Sequence, residues 1–69
     1  MTVHNDWESM ITNPPDYNRV GDIFEIDNEH FKEPILAKLE CDRNRRNLHF
    51  EDMYGSAFSG YINYREAKQ

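Results

Sequence analysis

The chain reads as a mainly β, α+β domain. It is expected to be a short N-terminal helix followed by a small curled antiparallel sheet of about four strands, loosely an SH3-like half-barrel. Three observations predict this. Runs rich in β-branched and aromatic residues recur between clusters of turn formers. The flanks of one arginine-rich stretch zip into a hairpin with one apolar and one polar face. The chain has only 69 residues, and 13% of them are aromatic, so its core must be built on rings. Disordered segments are usually poorer in aromatics than this.

The first element spans Asn5 to Thr12. Asn5 or Asp6 offers an N-cap, and acids follow in the first turn, where the helix dipole favours them. Trp7, Met10 and Ile11 then fall on one helical face. Asn13-Pro14-Pro15-Asp16 ends the helix, because a residue before proline avoids helical dihedrals. The helix and its proline turn are assigned to residues 1–15.

The sheet is assigned to residues 19–64. "RVGDIFEID", residues 19–27, has strand character, and Gly21 marks a bulge. Asp27-Asn28-Glu29-His30 is a turn. Centring the next turn on Asn44-Arg45 pairs Leu39 with Phe50 and Cys41 with Leu48 on the apolar face. The same register pairs Glu40 with His49 and Lys38 with Glu51 on the polar face. Asp52 opposite Ala37 breaks the pattern, so pairing ends or bulges there. Asn44-Arg45 lacks the glycine of a tight primed turn, which leaves room for a looser loop.

A helical reading of 34–46 competes. Pro34 suits a first helical position, and "PILAKLECDRNRR" is rich in helix formers. Its apolar stripe fails after two turns, however, where Asp42, Arg43 and Arg46 take the expected apolar positions. The hairpin is the better account. Tyr54-Gly55-Ser56 is then a turn, "AFSGYINY" at 57–64 a last strand, and 65–69 a polar tail.

A single domain of this length buries about 60% of the surface its unfolded chain exposes, so its stability is marginal. One cysteine, Cys41, cannot close an internal disulfide, and a reducing, cytoplasmic setting is the simplest expectation. Residues 1–10 are polar, unlike a signal peptide, and no apolar run has the roughly 18 residues of a membrane span.

The net charge of −5 is unevenly distributed. Residues 1–30 carry seven acids against Arg19, while residues 31–50 carry five bases against three acids. Asp22, Glu25 and Asp27 form an acidic strip with Asp16 and Glu29. Such a strip suits a basic partner surface, although any exposed strand and turn shows similar spacing. Arg43, Arg45 and Arg46 form a basic tip whose forked donors suit carboxylate or phosphate. The bland reading of that tip is a solvated turn. The overall acidity argues against nucleic acid, since its binders present a dominant basic face.

No catalytic or metal motif stands out. Cys41 and His49 lie on opposite faces of the hairpin, so they cannot form a nucleophile–base pair. His4, His30 and His49 with one cysteine lack a recognised zinc spacing. Neither an enzyme nor a bound cofactor is expected. Tyr54, Tyr61 and Tyr64 complete the candidate binding set, because tyrosine is enriched at binding hot spots. Ordinary core packing explains such tyrosines equally well.

The sequence thus reads as a small non-catalytic protein-binding module, an inhibitor or adaptor that docks sterically on a basic partner surface. Size and composition resemble phage and mobile-element accessory proteins. The alternative is a nucleic-acid-associated module using the arginine tip, or an acidic DNA mimic. A homodimer through a free edge strand is also compatible with so small a core.

Overall fold

The computed structural model describes residues 7–42, 44 and 47–67. Six strands form one antiparallel sheet: β1 (Glu8–Ser9), β2 (Ile23–Asp27), β3 (Ile35–Asp42), β4 (Asn47–Glu51), β5 (Ala57–Phe58) and β6 (Asn63–Glu66). The spatial order is β1-β6-β2-β3-β4-β5. A 3-10 turn at Tyr17–Arg19 is the only helical element among the described residues.

The expected N-terminal helix is not there. Its described part is the two-residue strand β1, paired with β6 through Glu8–Tyr64 and Ser9–Asn63, followed by a single turn. The Ser9 hydroxyl accepts the N–H groups of Ile11 and Thr12, and Asn13 N–H bonds the Ser9 carbonyl at 2.8 Å. The Met10 N–H is taken by the Ile62 carbonyl at 2.9 Å. Sheet pairing therefore captures Glu8 to Met10 before a second helical turn forms, and Pro14-Pro15 blocks any continuation. Met10 is buried, but Ile11 is exposed, so the anticipated apolar helix face does not exist.

Gly21 does make a bulge. Arg19 to Asp22 is a type II turn, closed by Asp22 N–H to the Arg19 carbonyl at 3.0 Å. Val20 has φ −59° and ψ 131°, and Gly21 has φ +99°. Gly21 N–H then bonds the Leu39 carbonyl while Leu39 N–H bonds the Asp22 carbonyl. Two residues thus oppose one, with a left-handed glycine first, as in a G1 bulge.

The β3–β4 hairpin has the register read from the sequence: Lys38–Glu51, Leu39–Phe50, Glu40–His49, Cys41–Leu48 and Asp42–Asn47. The helical alternative for 34–46 falls with it. Pairing to β3 stops at Glu51, where the Asp52 mismatch was expected to end it. Asp52 instead opens the β4–β5 hairpin. Its N–H bonds the Ser56 carbonyl, and its carboxylate accepts the N–H groups of Tyr54 and Ser56, each at 2.9 Å.

The expected last strand, 57–64, is two strands. β5 is one sheet edge, whereas β6 lies between β1 and β2. A tight turn with Ile62 N–H on the Gly60 carbonyl, 2.7 Å, redirects the chain between them. β6 extends to Glu66, so Arg65 and Glu66 belong to the sheet and not to a polar tail.

That short crossing forces the sheet to curl. A flat sheet would hold β4 and β6 about 14 Å apart, three strand spacings. Yet the rings of Phe50 in β4 and Tyr64 in β6 have centroids 5.8 Å apart. Phe24 meets both edge-on, at 5.7 and 5.6 Å. The concave face closes over these three rings with Met10, Ile26, Ala37, Leu39 and Ile62, and the sheet remains open.

Candidate functional site

Strand alternation divides the side chains. In β3, Ala37 and Leu39 point into the core, so Leu36, Lys38 and Glu40 must point outward. The register sets Ile23 and Glu51 on either side of Lys38, and Glu25 beside Leu36. The convex face therefore carries the large exposed apolar side chains of Ile23 and Leu36 among charges. Leu36 is 51% exposed.

The β4–β5 hairpin tip completes a groove against this face. Gly55, at φ +86°, closes its three-residue loop, a geometry that favours glycine. The tip is thus braced by the glycine and by the Asp52 carboxylate. It holds Met53 and Tyr54 in solvent at 80% and 86% exposure. Ile23, Leu36, Lys38, Glu40, Glu51, Asp52 and Met53, with Ala37, line an open groove of about 510 Å3. Lys38 Nζ stands 4.0 Å from the Glu40 carboxylate. Three carboxylates face one ammonium, so the groove is acidic around an apolar end.

The sequence-derived candidates are dispersed. Tyr54 is exposed beside Met53, and Tyr61 is 89% exposed on the β5–β6 connection; neither lines the groove. Tyr64 is not a surface residue. It is 8% exposed, packs on Phe24 and Phe50, and donates its hydroxyl to the Asn13 carbonyl. Burial pushes its hydroxyl pKa up, and the charges of Glu8 and Asp16 push it further.

The acidic strip is largely engaged within the molecule. Asp22 accepts Arg19 Nε at 2.6 Å, and Glu25 accepts Arg65 Nε at 2.6 Å. Asp27 accepts the Asn28 N–H at 2.9 Å. Arg19 also clamps Glu66 through both terminal nitrogens, at 2.7 and 2.8 Å, and lies over the Phe24 ring. This clamp raises the Arg19 pKa and holds the Glu66 carboxyl below its ordinary range. Arg65 in turn covers the Trp7 ring at 4.2 Å. Arg43, Arg45 and Arg46 lie outside the described residues.

A second, more polar hollow of about 330 Å3 lies by Pro14, Pro15, Asp16, Arg19 and Tyr64. Its two arginines, Arg19 and Arg65, are those already engaged with Glu66, Asp22 and Glu25. Among the described residues no cluster of three His, Cys, Asp or Glu side chains is placed to hold a metal ion. No helix among them is long and apolar enough to cross a membrane. Cys41 and His49 lie on neighbouring, non-opposed pairs of the β3–β4 ladder, and so on opposite faces.

Ile23, Leu36 and Met53 were absent from the sequence-derived set. A signal for Leu36 was present: in "ILAKLEC" the inward positions are 35, 37, 39 and 41, which leaves an outward leucine beside Lys38 and Glu40. No family model, no curated protein and no solved structure matches this chain.

Proposed function

We propose that the protein is a small non-catalytic protein-binding module, an inhibitor or adaptor acting by steric docking. The observation that carries this reading is the convex groove, where Ile23, Leu36 and Met53 stand exposed inside an acidic border. Exposed apolar groups rimmed by polar ones are typical of protein interaction sites. Met53 and Tyr54 add anchors on a braced tip, so little conformational freedom is lost when they dock. The partner surface is apolar with a basic margin, which keeps the expected charge complementarity but moves it from the strip on β2 to the groove. The strand order, with β6 returned beside β2, supports an SH3-like half-barrel as the scaffold. The lone Cys41 supports a cytoplasmic setting.

The test is site-specific photocrosslinking in cells, with a benzophenone amino acid at position 53 and, as control, at exposed position 17. The expected result is one heterologous protein adduct at position 53, absent at position 17 and lost in Leu36→Asp. Adducts only to a second copy of the chain, or the same adducts from both positions, would overturn the reading.

A further inference from the structure

The arrangement of the groove points to a specific kind of ligand. Outward side chains on one strand recur about every 6.8 Å. Along β3 the sequence of outward groups is Leu36, Lys38, Glu40, so the groove runs from an apolar end to an acidic end. Strand β4 follows the same polarity, whereas β2 sets Ile23 beside Lys38 and Glu25, held by Arg65, beside Leu36. β4 places Glu51 opposite Lys38, and the chain continues to Met53, towards the Leu36 end. Lys38 is flanked by Glu51 across the ladder and by Glu40 at 4.0 Å, so the middle and far parts of the groove stay net negative.

We infer that this groove takes an extended segment of another protein in which an apolar residue is followed, two positions later, by arginine or lysine. The apolar side chain sits on Leu36 and Met53, with Ile23 one step further along the groove beside Lys38. The basic side chain then reaches Glu51 and Glu40, because the two-residue step of an extended chain matches the spacing of the groove. The volume of about 510 Å3 falls within the range of established ligand pockets. The inference rests on the protein-binding reading above and specifies its ligand.

The experiment is an NMR titration of the 15N-labelled full chain with a blocked peptide, glycine-serine-leucine-serine-arginine-serine-glycine. Matched peptides replace its arginine with glutamate or its leucine with serine. Expected are amide shifts centred on Leu36, Lys38, Glu51 and Met53, with millimolar affinity for so small a ligand. Both altered peptides should bind roughly tenfold more weakly, a difference of about 1.4 kcal/mol. The protein variant Glu40→Gln/Glu51→Gln, checked for an unchanged spectrum elsewhere, should lose the preference for arginine over glutamate. Absence of groove shifts, or equal shifts from the arginine and glutamate peptides, would overturn the inference. If the position-53 crosslink persists in that case, the module still binds protein and only this ligand is wrong. If the crosslink fails as well, both readings fall.

Discussion

At the scale of single residues, Tyr64 ties together parts of the chain 51 positions apart, through its hydroxyl bond to Asn13. Tyr64→Phe keeps the ring packing and removes that bond, so it should cost about 1 kcal/mol in urea unfolding. The raised pKa of Tyr64 also has a direction. The fold holds the neutral phenol, so this contribution is complete below the ordinary tyrosine value of about 10 and is lost as pH rises through the higher folded value. The alkaline decline in stability should therefore be shallower in Tyr64→Phe, as measured by unfolding at stepped pH. Glu66 behaves oppositely. Arg19 holds its carboxyl low, so its contribution is present above the ordinary carboxylate range and lost as pH falls through the depressed value. Glu66→Gln should flatten the stability profile below about pH 4.5. An unchanged acid limb would show that the Arg19 clamp does not hold in solution.

At the scale of elements, the turns decide the topology. Gly21 has open space where a Cβ would stand, yet its φ of +99° disfavours any L side chain. Gly21→Ala should therefore destabilise by about 1 kcal/mol or more through backbone strain alone, with the β2–β3 register preserved by NMR. Asp52→Ala should cost about 1–2 kcal/mol, because two turn N–H groups lose their acceptor. These elements also show what the sequence could disclose. The β3–β4 register was legible because both faces of the hairpin agree with it, and Gly21 was legible as a break in an otherwise continuous strand. The N-terminal segment was misread because Trp7, Met10 and Ile11 fit a helical face, while the pairing that overrides it comes from β6, more than fifty positions away. The split between β5 and β6 was hidden for a similar reason. "AFSGYINY" alternates like one strand, and only the closure of the sheet requires its two ends to join different neighbours. Leu36 was not singled out from the sequence, although its alternation phase in β3 assigns it to solvent.

At the scale of the whole molecule, a chain of 69 residues has about 3–10 kcal/mol of stability to lose. Phe50 sits fully buried at the contact between β2, β4 and β6. Phe50→Ala should cost about 3–5 kcal/mol and leave a substantial unfolded fraction by circular dichroism. The convex face is different, since its apolar groups add little to the core and remain available for a partner. Leu36→Asp should accordingly leave the melting curve nearly unchanged. That separation makes the central claim testable by affinity capture from lysate. The wild type, Leu36→Asp and the triple variant Arg43→Ala/Arg45→Ala/Arg46→Ala are compared, each with and without nuclease, and recovered proteins are identified by mass spectrometry. The account predicts one nuclease-resistant protein, bound by the wild type and the arginine variant and lost in Leu36→Asp. Recovery that survives Leu36→Asp but disappears with nuclease or with the three arginines would contradict it and assign the interaction to the basic tip.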